Sequence, residues 1–193
     1  MNSRAAMILA LAGLATLAAC TAAPPKSSHE IFDEQSASTL LVTGAPLVFA
    51  RERSDVAAHA RDYATVVAVE IDVSGEYRQY LLLYRWSTVD RRMSPPPRPD
   101  EGELVIFADG RTIDLLPLAK LPVDLRQRGG LHVPAHGDVV AHAYPVDPAT
   151  LRYIAASHDL TVRMPQEQLD TPFPLFEDGR RALEQFLERA AAP

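Results

Sequence analysis

The chain has 193 residues, of which 47% are hydrophobic, and its 19 basic and 25 acidic residues give a formal net charge of −6. This acidic balance provides no electrostatic reason to bind nucleic acid, so we expect no nucleic-acid partner. The apolar content is that of an ordinary globular domain. Cys20 is the only cysteine, which excludes an intramolecular disulfide and any site built from several thiolates.

The first twenty residues have the layout of a secretory signal peptide. Arg4 supplies a positive charge, residues 5–17 form an uncharged apolar run, and two alanines precede Cys20. The run is shorter than the roughly 20 residues that a membrane-spanning helix needs. We therefore predict that residues 1–19 are a signal peptide. An N-terminal membrane anchor, or an ordinary signal peptide with an incidental cysteine, is the alternative.

Residues 17–20, Leu-Ala-Ala-Cys, resemble the lipobox of bacterial lipoprotein precursors at all four positions. The resemblance implies cleavage before Cys20, attachment of diacylglycerol to its thiol and acylation, for example with palmitate, of the new amino group. Two or three acyl chains hold a protein stably on a membrane. Thr21 stands where Asp would favour the inner membrane, so the resemblance implies the inner leaflet of the outer membrane, on the periplasmic side; in a Gram-positive host the anchor would be in the plasma membrane.

The mature chain is predicted to begin with a tether. Residues 20–38 are rich in Pro, Ala and Ser, and we expect a lipidated flexible tether there, followed by a single periplasmic domain over residues 39–193. Loss of residues 1–19 removes one basic residue, Arg4, and no acidic one, so the mature chain is more acidic still.

Alternating and apolar runs predict most of the domain as strands. Residues 39–50 contain two short strands, and residues 64–73 and 77–88 form a hairpin around Ser74-Gly75-Glu76. A second hairpin is predicted around Asp109-Gly110, with further strands at 138–146 and 160–164. The proline-rich residues 91–102 and residues 117–137 are expected to be irregular.

Two helices complete the prediction. Asp147 and Pro148 favour a helix over about 148–156, and apolar residues at helical spacing predict another over about 179–191. The fold class is therefore α+β: a single small domain with an antiparallel sheet, half-open barrel or sandwich of six to eight strands and two helices.

An aromatic stripe on the second strand of the first hairpin is the main candidate for a ligand face. Tyr80, Tyr84 and Trp86 share one strand face with Leu82. Such a stripe is most often sheet core, but it also suits a groove for a lipid, glycan or peptide.

Three polar groupings are candidates for catalytic or metal sites. Ser157-His158-Asp159 contains the residue types of a hydrolytic triad, but adjacent side chains rarely converge. His132 and His136 have the spacing of two zinc ligands on a helix, which Pro134 and Gly137 argue against. Glu70 and Asp72 share a strand face that we expect to be solvated. We therefore predict no catalytic residue, no metal and no cofactor.

The sequence leaves three classes of function open. We expect a non-catalytic lipoprotein, anchored in the outer membrane, that acts in envelope maintenance or assembly through contacts with envelope proteins. A ligand-binding module that uses Tyr80, Tyr84 and Trp86 is the first alternative, and an envelope hydrolase is the second.

Overall fold

The computed structural model describes residues 27–34, 36–89, 102–126, 129–135, 139–164 and 171–190. These residues form ten strands, two α-helices and a short 3-10 helix over Val123–Arg126. The strands are β1 His29–Asp33, β2 Ser38–Val42, β3 Leu47–Glu52, β4 Arg61–Val73, β5 Glu76–Ser87, β6 Leu104–Ala108, β7 Arg111–Leu115, β8 Val140–Pro145, β9 Leu160–Arg163 and β10 Phe173–Glu177. The helices are α1 Pro148–Ala156 and α2 Arg180–Arg189.

The ten strands form one antiparallel sheet that is not closed into a barrel. The long β4–β5 hairpin is its centre, because β5 pairs with β4 along twelve residues and then with β8 on its other edge. The other edge of β4 pairs with β3 along its first half and with β2 along its second half. β1 pairs with the far edge of β2. From β3 the sheet continues through β10, β9, β6 and β7.

Both faces of the central hairpin are covered. Leu81 and Leu83 belong to an inner cluster shared with α1, α2 and the strands on the far side of the sheet, so the sheet curls around this cluster. Leu82 faces the other way, into an outer cluster with β2 and with the irregular segment that follows β7. A strand that is apolar on both faces is usually central and covered on both, and β5 is such a strand.

A specific residue determines where each helix begins. The carboxylate of Asp147 accepts a hydrogen bond from Thr150 N at 2.8 Å, which confirms the predicted cap of α1. The helix α2 starts after Gly179, where an added Cβ would lie 2.6 Å from the carbonyl carbon of Pro46 and closer still to its oxygen. Only glycine fits this contact between the start of α2 and the turn before β3.

The α+β class with an antiparallel sheet and two helices is confirmed, while two details differ from the prediction. There are ten strands rather than six to eight, because β1 and β10 were not predicted. Residues 29–33 form β1, so the part of the predicted tether that lies beyond Ser28 belongs to the domain. Within β1 only Ile31 packs on the outer cluster, so its sequence lacks a clear apolar pattern.

Candidate functional site

A row of aromatic side chains crosses four strands on the outer face of the sheet. Tyr63 of β4 lies directly opposite Trp86 of β5, and their rings stack with centroids 4.0 Å apart and planes within 5°. The ring of Phe176, on β10, meets Tyr63 edge to face at 5.8 Å. These are the two ring geometries that the aromatic quadrupole favours.

An arginine completes this surface. The guanidinium of Arg61 lies over the ring of Phe176, 5.1 Å from its centroid, and donates a hydrogen bond to the carboxylate of Glu52 at 3.3 Å. We call Arg61, Tyr63, Trp86 and Phe176 the aromatic–arginine face. A cation over an aromatic ring at this distance is an attractive contact of about 0.5–1 kcal/mol at an exposed site.

Local structure explains why the face is open. Ala50 of β3 lies beside Tyr63, so the strand between β4 and β10 puts only a methyl group beneath the rings. The described part of the segment that covers the outer cluster packs on Tyr80, Leu82 and Tyr84. As a result, Phe176 is 48% exposed, and Tyr63 and Trp86 are half-buried.

Hydrogen bonds fix the strands that carry the face. Trp86 donates its indole N–H to Oγ1 of Thr65 at 3.1 Å. On the opposite side of β4, the carboxylate of Asp62 accepts from Arg51 at 2.8 Å, from Arg53 at 3.1 Å and from Ser87 at 2.7 Å. Burial raises the pKa of Asp62, but these hydrogen bonds outweigh it and hold the pKa below the ordinary value.

Of the three residues predicted as a ligand face, only Trp86 lies at this surface. Tyr80 and Tyr84 are 8% and 4% exposed and pack in the outer cluster, where burial raises the pKa of Tyr84 to about 12. Those two tyrosines are therefore core, which was the other interpretation of the stripe.

The Ser157-His158-Asp159 side chains do not converge. The hydroxyl of Ser157 donates to Ile154 O at the end of α1, while the backbone N–H groups of His158 and Asp159 both donate to the carboxylate of Asp109. Arg180 holds the same connector by donating to the carbonyls of Ser157 and His158. This tripeptide is a structural link between α1 and β9.

The histidines considered as zinc ligands are engaged elsewhere or lie outside the described residues. His132 donates from Nε2 to Thr43 O at 2.7 Å, and its ring meets that of His29 at 5.9 Å. His136 and Cys20 lie outside the described residues. In the part of the chain that the structure describes, no group of three or more His, Cys, Asp or Glu side chains is arranged to hold a metal ion.

The expectation of a solvated face at Glu70 and Asp72 was wrong for Glu70. This side chain is 5% exposed and accepts a hydrogen bond from Gln79 Nε2 at 2.9 Å, while Asp72 accepts from Gly75 N in the hairpin turn. The two carboxylates thus have separate structural partners.

Sequence reasoning missed Arg61, Tyr63 and Phe176. The pairing of Tyr63 with Trp86 was within reach, because the two-residue turn at Ser74-Gly75 fixes the register of the whole hairpin. Phe176 was not, because the five-residue β10 contains a proline and gives little strand signal.

Comparison with known proteins adds no relative. No protein-family model, curated protein or solved structure matches the chain. Among the described residues no helix has both the length and the apolar character to cross a membrane.

Proposed function

We propose that the chain is a non-catalytic lipoprotein, anchored through Cys20 in the inner leaflet of the outer membrane, that serves envelope maintenance or assembly by binding another protein. The observation that carries the proposal is the aromatic–arginine face. Trp, Tyr and Arg are the residue types that dominate the energetics of protein–protein interfaces. Here they are contiguous and half-exposed.

The face is suited to binding because its side chains are already ordered. Stacking of Tyr63 on Trp86, and the hydrogen bond from the indole to Thr65, fix these rings before a partner arrives. Ordering a mobile side chain on binding costs about 0.5–1.5 kcal/mol, and a fixed ring avoids this cost. The rings thus present a rigid apolar surface with a cationic edge at Arg61.

The resemblance of residues 17–20 to a lipobox supports the proposed location, and the position of β1 limits how far the domain can lie from the membrane. β1 begins at His29, so only residues 21–28 separate Cys20 from the sheet. These eight residues span at most about 27 Å at about 3.4 Å per residue. The domain is therefore held near the bilayer, within reach of other envelope proteins.

Crosslinking in the intact envelope tests the proposal. We expect one reproducible partner for the wild-type lipoprotein, lost with Phe176→Ser and with Trp86→Ala. Leu116→Ser is the matched control, because Leu116 is 72% exposed and lies outside the face. We expect Cys20→Ser to abolish acylation and weaken the crosslink. A partner retained by both face variants, or a wild-type chain without lipid, would contradict the proposal.

The half-exposed Trp86 also favours a second candidate, a module that binds a glycan, lipid or peptide. Aromatic rings suit the apolar faces of such ligands. Titration of the protein with each ligand class, followed by the fluorescence of Trp86, separates the two functions. A saturable spectral shift with a purified ligand would favour this module over protein binding.

A further inference from the structure

A second exposed apolar surface lies at the other end of the β4–β5 hairpin. Phe32 is 64% exposed, Tyr77 53%, Val73 43% and Val123 58%. These are four of the six exposed large hydrophobic residues found in the described part of the chain. We call them the apolar rim.

Strand register places the rim at the turn end of the sheet. Phe32 pairs with Thr39, Thr39 with Asp72, and Asp72 with Tyr77, so Phe32 and Tyr77 lie in one row on the inner face. Val73 follows Asp72 and points to the outer face. Ser38, two residues before the outward-facing Leu40, donates from Oγ to the carboxylate of Asp124 at 2.7 Å. This bond places the neighbouring Val123 on the outer face as well. Apolar side chains from both faces thus surround the end of the sheet.

The tether is long enough to reach this end of the sheet. His29, at the start of β1, pairs with Val42, which in turn pairs with Val69 of β4. Along β4, Val69 is four residues from Val73 of the rim and six residues from Tyr63 of the aromatic–arginine face. At about 3.3 Å per residue, the rim lies about 13 Å along the strands from the start of β1, and the aromatic–arginine face about 20 Å in the other direction. Residues 21–28 span at most about 27 Å, so they can double back along β1 with length to spare.

We infer that the apolar rim rests in the headgroup layer of the membrane that holds the acyl chains, an inference that depends on the proposed anchoring at Cys20. Tyr77 suits this layer because its apolar ring can meet lipid while its hydroxyl meets water, and Phe32 adds an apolar ring beside it. The lipid anchor removes most of the entropy cost of this contact, because it keeps the rim at high local concentration beside the bilayer.

Charge limits the kind of membrane that the rim fits. Asp72 lies in the same row as Phe32 and Tyr77, Glu76 pairs with Val73, and Asp124 follows Val123. Arg78, which pairs with Ile71, is the basic residue that the register places near them. An anionic surface would repel this acidic border, so the rim fits a zwitterionic lipid surface. The contact is apolar and should weaken as anionic lipid is added.

The single tryptophan provides an internal ruler for the test. Trp86 lies nine residues along β5 from Tyr77, about 30 Å at about 3.4 Å per residue. Lipidated protein is reconstituted into phosphatidylcholine vesicles whose acyl chains carry bromine, a contact quencher. Phe32→Trp and Tyr77→Trp, each in a Trp86→Phe background, are compared with wild type.

We expect bromolipid to cause a large loss of fluorescence from each introduced tryptophan and little loss from Trp86, with a smaller loss at positions 32 and 77 in anionic vesicles. Protein that floats with the vesicles but shows no quenching at positions 32 and 77 would overturn the inference and leave the anchoring intact. Equal quenching of Trp86 would also overturn it, because the domain would then lie flat. Protein that does not float with the vesicles would overturn the proposed anchoring itself.

Discussion

The middle of the β4–β5 hairpin is buried on both faces, but the two faces are covered differently. Leu82 and Leu83 are adjacent and both fully buried. Leu83 lies under α1, α2 and the strands across the sheet, whereas Leu82 lies under a segment whose described residues include a short 3-10 helix and are otherwise irregular. Burial alone therefore does not reveal what must move for a core residue to meet water.

A few polar contacts hold the irregular cover over the outer cluster. Ser38 donates to Asp124, His132 to Thr43 O, and Leu118 N to Ala143 O at 2.8 Å. On the inner side, ladders of backbone hydrogen bonds join the strands, and the two helices have their own intrahelical hydrogen bonds. Local opening occurs first where few buried contacts and few hydrogen bonds must break, so we expect the outer cover to open before the inner core.

Truncation of one leucine on each side gives the largest effect and tests this difference directly. Leu83 and Leu131 are both fully buried, the first in the inner cluster and the second in the outer cover. We expect Leu83→Ala to lower the free energy of unfolding by about 2–5 kcal/mol, as buried leucines do. Leu131→Ala should cost less globally and should increase hydrogen exchange at residues 118–126. Equal losses in urea denaturation, with unchanged exchange, would contradict the comparison.

A methyl group at Gly179 should disturb the inner side by overpacking. The added Cβ would collide with the backbone of Pro46, which cannot rotate away as a side chain can. We expect Gly179→Ala to cost about 1–3 kcal/mol. Gly129→Ala is the matched control, because no atom lies within 4 Å of its added Cβ. Similar melting temperatures for the two variants would show that the start of α2 can shift freely.

Lowering the pH should reduce the free energy of unfolding in two stages. This effect should be smaller than those of the leucine truncations and of Gly179→Ala. His142 is 7% exposed in β8, and burial, together with the charge of Arg85, lowers its pKa from 6.5. The unfolded chain then binds the proton more readily, so stability falls as pH drops below about 6.5. His142→Gln should flatten this slope in urea denaturation between pH 7 and 5. An unchanged slope would rule out His142 as its source.

The second stage involves carboxylates with a lowered pKa. The backbone N–H groups of Asp159 and His158 lower the pKa of Asp109 below 3.8, and the pKa of Asp62 is lowered as well. Their stabilising contribution is present above that pH and is lost as pH falls further. The same titration, continued below pH 4, should show a second loss that His142→Gln does not remove.

The sequence was sufficient where one residue pattern determines one structure. Asp109 and Gly110 both have positive φ, 46° and 80°, as a two-residue hairpin turn requires. Asp147 caps α1, and the alternation in β4 and β5 specifies both faces. It was insufficient for β1 and β10, whose residues are polar or interrupted by proline and are held by long-range partners. The aromatic–arginine face could not be predicted in full for the same reason, because Phe176 lies next to Tyr63 only when β10 is in the sheet.

The end of α2 has a mechanical consequence. Arg189 donates to Ser28 O and to the carboxylate of Glu30, the latter at 2.7 Å. Under the proposed anchoring at Cys20, a pull on the anchor enters the fold at Ser28, where this guanidinium joins the first strand to the last helix. The load would then be shared between the β1–β2 ladder and α2, so that β1 is not peeled away alone.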